Sequence, residues 1–222
     1  MIDWFAPPVP TRRDDGADGA LRRWQALVAV RRVARELDER DPATVGHSER
    51  VADIADALAA ELGWLPRRRS LLREAALVHD VGKACVPEAI LAHPGRLSPG
   101  DYCVMREHAA LGARIASAAL SDVQAAWVRH HHERWDGRGY PDGLAGEEIP
   151  RGALILCLAD AWDAMTHRSW SGGPLDRHEA LEECRREAGR QFAPHLVEAL
   201  ERVVHLLPLP APPPAPLQLL PA

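Results

Sequence analysis

G-H-S-E-R-V-A-D-I-A-D-A-L-A-A-E-L-G, residues 46–63, is the stretch whose reading decides the fold. Val51, Ile54, Ala55, Leu58 and Leu62 recur at intervals of three and four, the period of one buried helix face, and Gly63 stands where a helix would stop. His47 lies four residues before Val51 and falls on the same inward face. The pattern repeats outward. Leu72, Ala76 and His79 share a face, with Gly82 predicted to break that helix just past Asp80. Ser98, Pro99 and Asp101 form a helix start, followed by the stripe Met105, His108, Gly112 and Ile115. Val123, Trp127 and His131 predict another helix, and Ile155, Leu158, Trp162 and Met165 a further one whose flank carries Asp160 and Asp163. The Asp176–Glu179 capping pair and Pro194 open two last helices. Since no alternating strand pattern of useful length interrupts this periodicity, the expected fold class is all-α.

The bulk properties bound the rest. With 222 residues and 46% hydrophobic composition, one core is expected. A formal charge of −5 supplies no global field for DNA or RNA. No apolar run reaches membrane-spanning length, the N-terminus has no signal-peptide pattern, and four scattered cysteines form no C-x-x-C pair, so a cytoplasmic, non-membrane protein is expected. Proline density at both ends predicts a disordered segment over 1–20 and a disordered tail over 208–222. Between them, residues 21–40 read as an N-terminal helix. Its Trp24, Leu27, Val28, Val33 and Leu37 are placed to pack on the bundle or on a second subunit.

The chemistry sits on the inward faces. His47, His79 with Asp80, His108, His131 with His132, and Asp160 come from five separate helical segments. A lone histidine on an apolar face is ordinarily a hydrogen-bonded core residue. Five such coincidences point instead to a shared site, and imidazole plus carboxylate without thiolate suits two divalent ions with a shared Asp between them. Lys83, the only lysine in the chain, stands beside the His79-Asp80 pair.

These residues carry a resemblance. The stretches G-H-S-E-R-V-A from Gly46, H-D-V-G-K from His79, V-P-E-A-I-L from Val86, H-P-G-R-L-S from His93, E-H-A-A-L-G from Glu107, H-H-E-R-W-D-G-R-G-Y-P from His131 and A-D-A-W-D-A-M-T from Ala159 resemble the HD-GYP subgroup of HD-domain phosphohydrolases. The resemblance runs from about Asp41 to Val204, so residues 41–207 are expected to form an HD-type helical bundle with a buried binuclear metal site. It implies hydrolysis of cyclic di-GMP to pGpG and then GMP. Its metal ligands would be His47, His79, Asp80, His108, His131, His132 and Asp160. The ions would be Fe or Mn in the first instance, with Co, Zn, Mg or Ni as alternatives. Lys83 would face the scissile phosphate, and Asp80 would also direct the water proton. Ala43, where three-metal members carry an acid, points to two ions.

Arg134 and Tyr140 are candidate substrate contacts, and the Gly139-Tyr140-Pro141 loop is a candidate surface for a homodimer or signalling partner. His130 reads as a supporting or surface group, and His93, His167, His178, His195 and His205 as ordinary surface histidines. The chain departs from the family at Arg168-Ser169-Trp170-Ser171, where a longer cationic run is usual; Arg168 is left as a single phosphate clamp. This keeps two alternatives open: a phosphohydrolase for another cyclic dinucleotide or nucleotide, and a non-catalytic signal-binding module.

Overall fold

The computed structural model describes residues 16–40, 45–93, 95–167 and 173–207. The predicted disorder at residues 1–15 and in the 208–222 tail, Ala43 and the Arg168–Ser171 run all lie outside the described residues.

Helices dominate, as the periodicity demands: α1 (Gly16–Arg40), α2 (His47–Glu61), α3 (Pro66–Ala76), α4 (Glu88–Leu91), α5 (Pro99–Ala116), α6 (Asp122–Arg129), α7 (Arg151–His167), α8 (Arg177–Arg186) and α9 (Pro194–Val203). Among the described residues the one β feature is an isolated bridge between Ala188 and Phe192. Local chemistry starts these helices. Ser98 accepts from the Asp101 amide with Pro99 in the first turn of α5, and Asp176 and Glu179 cap α8 reciprocally. Gly63 takes a positive φ of 75° just beyond α2, as its helix-stop role requires.

α7 is the spine. Almost every side chain from Gly152 to Ala159 is buried, the signature of a helix surrounded by others, and α2, α6, α8 and α9 pack around it. Gly152 is required there because a Cβ would lie 2.4 Å from the Trp127 ring of α6. Ile54, Leu58, Leu72, Ile155, Leu158, Leu196 and Leu200 complete the core.

Three expectations change. α1 begins at Gly16 rather than Leu21, since Ala17 and Ala20 favour helix and Asp18 complements its N-terminal dipole. Its buried face is Val30 and Ala34 with Leu27 packed beside them, whereas Trp24, Val28 and Val33 are exposed. The helix expected to run through His79 ends at Ala76, and a 3-10 turn, Val81–Cys85, contains Gly82. Gly82 is therefore not a helix stop. A Cβ there would fall 1.9 Å from the His108 carbonyl oxygen, so glycine lets this turn lie against α5. Likewise α6 stops at Arg129, and His131 with His132 sit in the turn that follows.

Candidate metal centre

The seven predicted ligands arrive on five separate supports. His47 is the first residue of α2, after Gly46 in the left-handed region at φ 72°. His79 and Asp80 occupy the turn after α3, His108 the middle of α5, His131 and His132 the turn after α6, and Asp160 the spine α7. The imidazoles form a chain, with ring centroids 5.3 Å apart for His47–His79, 5.1 Å for His79–His131, 4.0 Å for His131–His132 and 5.0 Å for His108–His132.

Asp80 is the hub. Its Oδ1 lies 3.3 Å from His108 Nε2 and 3.9 Å from His131 Nε2, while its Oδ2 lies 3.6 Å from His79 Nε2 and 3.9 Å from His47 Nε2. The donors fall into two overlapping groups, Asp80-His108-His131-His132 and His47-His79-Asp80, each with its ligand atoms within 4.8 Å of one another. Asp160 Oδ1 adds a further donor 3.2 Å from His47 Nε2.

Hydrogen bonds fix which nitrogen of four of the five rings faces this centre. His79, His108 and His131 each place Nδ1 on the backbone carbonyl three residues earlier, at 2.7 Å to Ala76, 2.7 Å to Met105 and 2.6 Å to Val128. A carbonyl only accepts, so Nδ1 carries the proton and Nε2 presents a lone pair inward. His47 opens its helix and has no preceding turn to supply a carbonyl; Asp163 of α7 takes that place, 2.7 Å from Nδ1. The result is an inner surface of acceptors facing acceptors. His108 Nε2 and His132 Nε2 are 3.1 Å apart, and the Nε2 atoms of His47, His79 and His131 and the Oδ1 of Asp80 are buried with no hydrogen-bond partner. A buried acceptor left so costs about 1–3 kcal/mol, whereas divalent cations would satisfy all of them together. The residues present thus fit a metal site.

Protonation agrees. Burial, reinforced by the neighbouring imidazoles, holds His131 well below its ordinary value, and burial with His108 takes His132 down to about 3. Burial opposes ionisation of Asp80 and Asp160, yet Lys83 and His79 beside the first, and His47 beside the second, keep both well below the usual carboxylate range. At His47 burial is outweighed by Asp160, Asp163 and Asp80, and the pKa rises to about 9: without a cation its Nε2 holds a proton facing Asp160 at 3.2 Å, and a divalent ion in the same carboxylate field would take that proton's place.

Comparison with known proteins bears on this geometry. The HD domain family model matches residues 31–196. The chain belongs to the HD domain family. Its HD pair is His79-Asp80, and its motif set is that of the HD-GYP subgroup. A cyclic di-GMP phosphodiesterase of Thermotoga maritima is 38% identical over 78% of this chain and 48% of its own length. A 3′3′-cGAMP-specific phosphodiesterase 2 of Vibrio cholerae is 33% identical over 77% of this chain and 33% of its own. The crystal structure of a cyclic GMP-AMP specific phosphodiesterase of V. cholerae superposes with a TM-score of 0.63 at 22% identity, covering 81% of this chain and 48% of that one, and shows the same fold. The chain thus spans about half, or less, of the length of these relatives.

In this HD domain the remaining candidates divide. Lys83 donates from Nζ to Asp80 Oδ2, which keeps its ammonium at the mouth of the cluster. The Tyr140 ring lies over His132, with centroids 4.8 Å apart and planes 33° apart. Arg134 does not join them. Its guanidinium is engaged by Asp136 at 3.1 and 3.0 Å, Gln191 at 2.9 Å and Glu187 at 3.2 Å, which ties the glycine-rich loop to the region between α8 and α9. Arg168 lies outside the described residues. His130 stands apart from the cluster, 2.8 Å from Asp142.

Three residues, Asp163, Arg50 and His167, support the cluster in roles that the sequence reading did not assign to them. Asp163, fully buried, orients His47 and is itself held by Arg50 at 2.6 and 3.0 Å. His167, read as an ordinary surface histidine, sits 3.1 Å from the same carboxylate. The available signal for Asp163 was its place one turn beyond Asp160 on the same helix.

Proposed function

We propose that this HD domain is a metal-dependent phosphodiesterase that hydrolyses cyclic di-GMP to pGpG and then GMP. The observation that carries the reading is the pair of donor groups sharing Asp80, with their buried lone pairs unpartnered. His47, His79 and Asp80 would hold one ion; Asp80, His108, His131 and His132 the other; Asp160 would complete the first. Fe or Mn is favoured. When bound, such ions supply Lewis acidity toward the phosphoryl group and a nucleophilic water at neutral pH.

The chain's own residues do the rest. The backbone carbonyls and Asp163 keep the imidazoles in one tautomer and orientation, so the site is formed before substrate arrives. Lys83, positioned by Asp80, offers a compact positive charge to the oxygens of the scissile phosphate as negative charge grows on them. Asp80, held ionised, would accept a hydrogen bond from the attacking water and direct its proton. Tyr140 closes one wall beside His132. A cytoplasmic setting is supported by four free cysteines, and no helix among the described residues is long and apolar enough to cross a membrane.

The Vibrio relative favours a second substrate, 3′3′-cGAMP, which shares one guanine with cyclic di-GMP. The complete donor set argues against a non-catalytic module. Metal analysis of the purified protein, followed by incubation with cyclic di-GMP and Mn or Fe(II) and chromatography of products, tests the proposal. About two ions per chain with pGpG and GMP formed is the expected result; bound metal without product would move the substrate elsewhere.

A further inference from the structure

Arg106 stands out among the cations near the metal centre because nothing anionic holds it. Arg50 is paired to Asp163, Arg129 to Asp142 and Arg134 to Asp136 and Glu187. The partly buried Arg106 guanidinium instead lies 4.8 Å from the Tyr140 ring centroid and 5.8 Å from that of Tyr102, and these π contacts are its interactions among the described residues. Its N–H donors therefore have no acceptor among the described residues.

The surroundings are shaped for a flat group. Tyr102 and Arg106 are one turn apart on α5, the helix that also carries His108. Tyr102 is 48% exposed and meets Tyr140 edge to face, with centroids 6.4 Å apart and planes at 83°. Tyr140 in turn covers His132. A ladder thus leads outward from the metal-facing imidazoles through one aromatic ring to an exposed ring and an unpaired guanidinium. A phosphate held at the metal centre would have its nucleoside on this side, with a base able to stack on Tyr102.

Resting on the cyclic-dinucleotide reading above, we propose that Arg106 is a specificity-determining residue that recognises guanine on the Tyr102–Tyr140 platform. The chemistry of the guanidinium selects the base. Guanine presents two acceptors, O6 and N7, which match a pair of parallel N–H donors; adenine presents N7 beside an N6 amino group, and donor would then face donor. Nothing in this arrangement favours adenine.

The test compares kcat/KM and KM for cyclic di-GMP and cyclic di-AMP, using the metal-loaded full chain and its Arg106→Met and Arg106→Gln variants. Arg106→Met keeps an apolar contact with the rings but removes every donor. It is expected to raise KM for cyclic di-GMP by roughly tenfold to a hundredfold, with kcat, metal content and KM for cyclic di-AMP unchanged. Arg106→Gln, whose amide offers one donor and one acceptor, should shift the preference toward cyclic di-AMP. Equal loss on both nucleotides would make Arg106 a general phosphate cation and overturn the inference, as would no change on either. If the unaltered protein keeps its metal yet acts on neither nucleotide, the cyclic-dinucleotide reading fails and takes this inference with it. Normal wild-type turnover with an unaffected variant sinks this inference alone.

Discussion

The metal centre and the loop that follows its His131-His132 pair, residues 133–143, are adjacent in the chain and built from the same residue types, yet they treat polarity in opposite ways. In the loop and its supports most charges have found an opposite: Arg129 makes two 2.7 Å bonds to Asp142, His130 joins the same carboxylate, and Arg134 is bracketed by Asp136 and Glu187, while buried Glu133 accepts through Oε1 from the amides of Asp142 and Gly143 and leaves only its Oε2 without a partner. In the centre, four buried acceptors have no partner at all. The first is a finished structure. The second is unfinished without cations, and its rigid supports hold it that way, so a native chain tolerates it only because a ligand completes it. Charged residues near a site are therefore sorted better by whether their partners lie within the chain than by their proximity.

The largest break in that contrast is Asp80→Ala. Asp80 is common to both donor groups and touches Lys83, so its loss should lower activity by on the order of a thousandfold or more and reduce bound metal, with helical content by circular dichroism retained. Activity surviving within tenfold would refute the shared-carboxylate arrangement. Chelation should act on the centre alone. It should lower the melting temperature of the intact protein and leave that of Asp80→Ala nearly unmoved, because ions that bind only the folded chain stabilise it in proportion to their occupancy.

Gly82→Ala attacks the same centre through packing. The new Cβ would meet the His108 carbonyl oxygen at 1.9 Å and the Gly112 nitrogen at 2.5 Å, both backbone atoms in a helix that cannot step aside cheaply. A cost of about 3 kcal/mol is expected, read as a fall in urea midpoint, together with weaker metal binding as His108 is pushed out of line. An unchanged midpoint would show that the turn and α5 are looser than the structure has them.

The helices and the inner residues were legible in the sequence for the same reason. His47 and His108 sit on periodic apolar stripes and Asp160 on the flank of another, and three-and-four spacing is a local property that survives folding. What escaped depends on contacts across the chain. Asp163 meets His47 over a separation of 116 residues. Gly82 is small because of α5, not because of its own neighbours. Arg106 and Arg134 look alike in sequence, and only packing pairs one with Asp136 and Glu187 and leaves the other against two tyrosines. In α1 the sequence reading placed Trp24, Leu27, Val28, Val33 and Leu37 on the packing face, and the helix instead buries Val30 and Ala34 with Leu27 beside them.

Asp163→Asn probes the boundary between the two regions, since Asp163 is a finished part of the support that touches the unfinished centre. An amide can still accept from one neighbour, but it gives up the charge that faces His47 and Arg50. Losses of this kind commonly cost tenfold to a hundredfold in metal affinity or activity. Metal titration of Asp163→Asn should fall within about that range, with the melting temperature of the chelated protein lowered less than by Gly82→Ala. A loss as complete as that of Asp80→Ala would make Asp163 a ligand rather than a support.

The smallest effect belongs to the finished region. The Asp142 carboxyl is held down to about 2, first by its hydrogen bond from Arg129, with His130 assisting and slight burial opposing. An unfolded aspartate titrates near 3.9, so as pH falls the unfolded chain takes up this proton before the folded one does. The stabilisation is thus complete above about pH 4 and is lost as pH falls through about 2. Because the carboxylate is 37% exposed, water screens the pair, and the contribution should stay below about 1 kcal/mol. Arg129→Gln, studied on chelated protein so that metal loss does not mask the effect, should make the acid limb of melting temperature against pH shallower between about pH 4 and 2. A curve merely displaced, with the same slope throughout, would mean that Arg129 braces the loop by packing and that the paired charges contribute nothing.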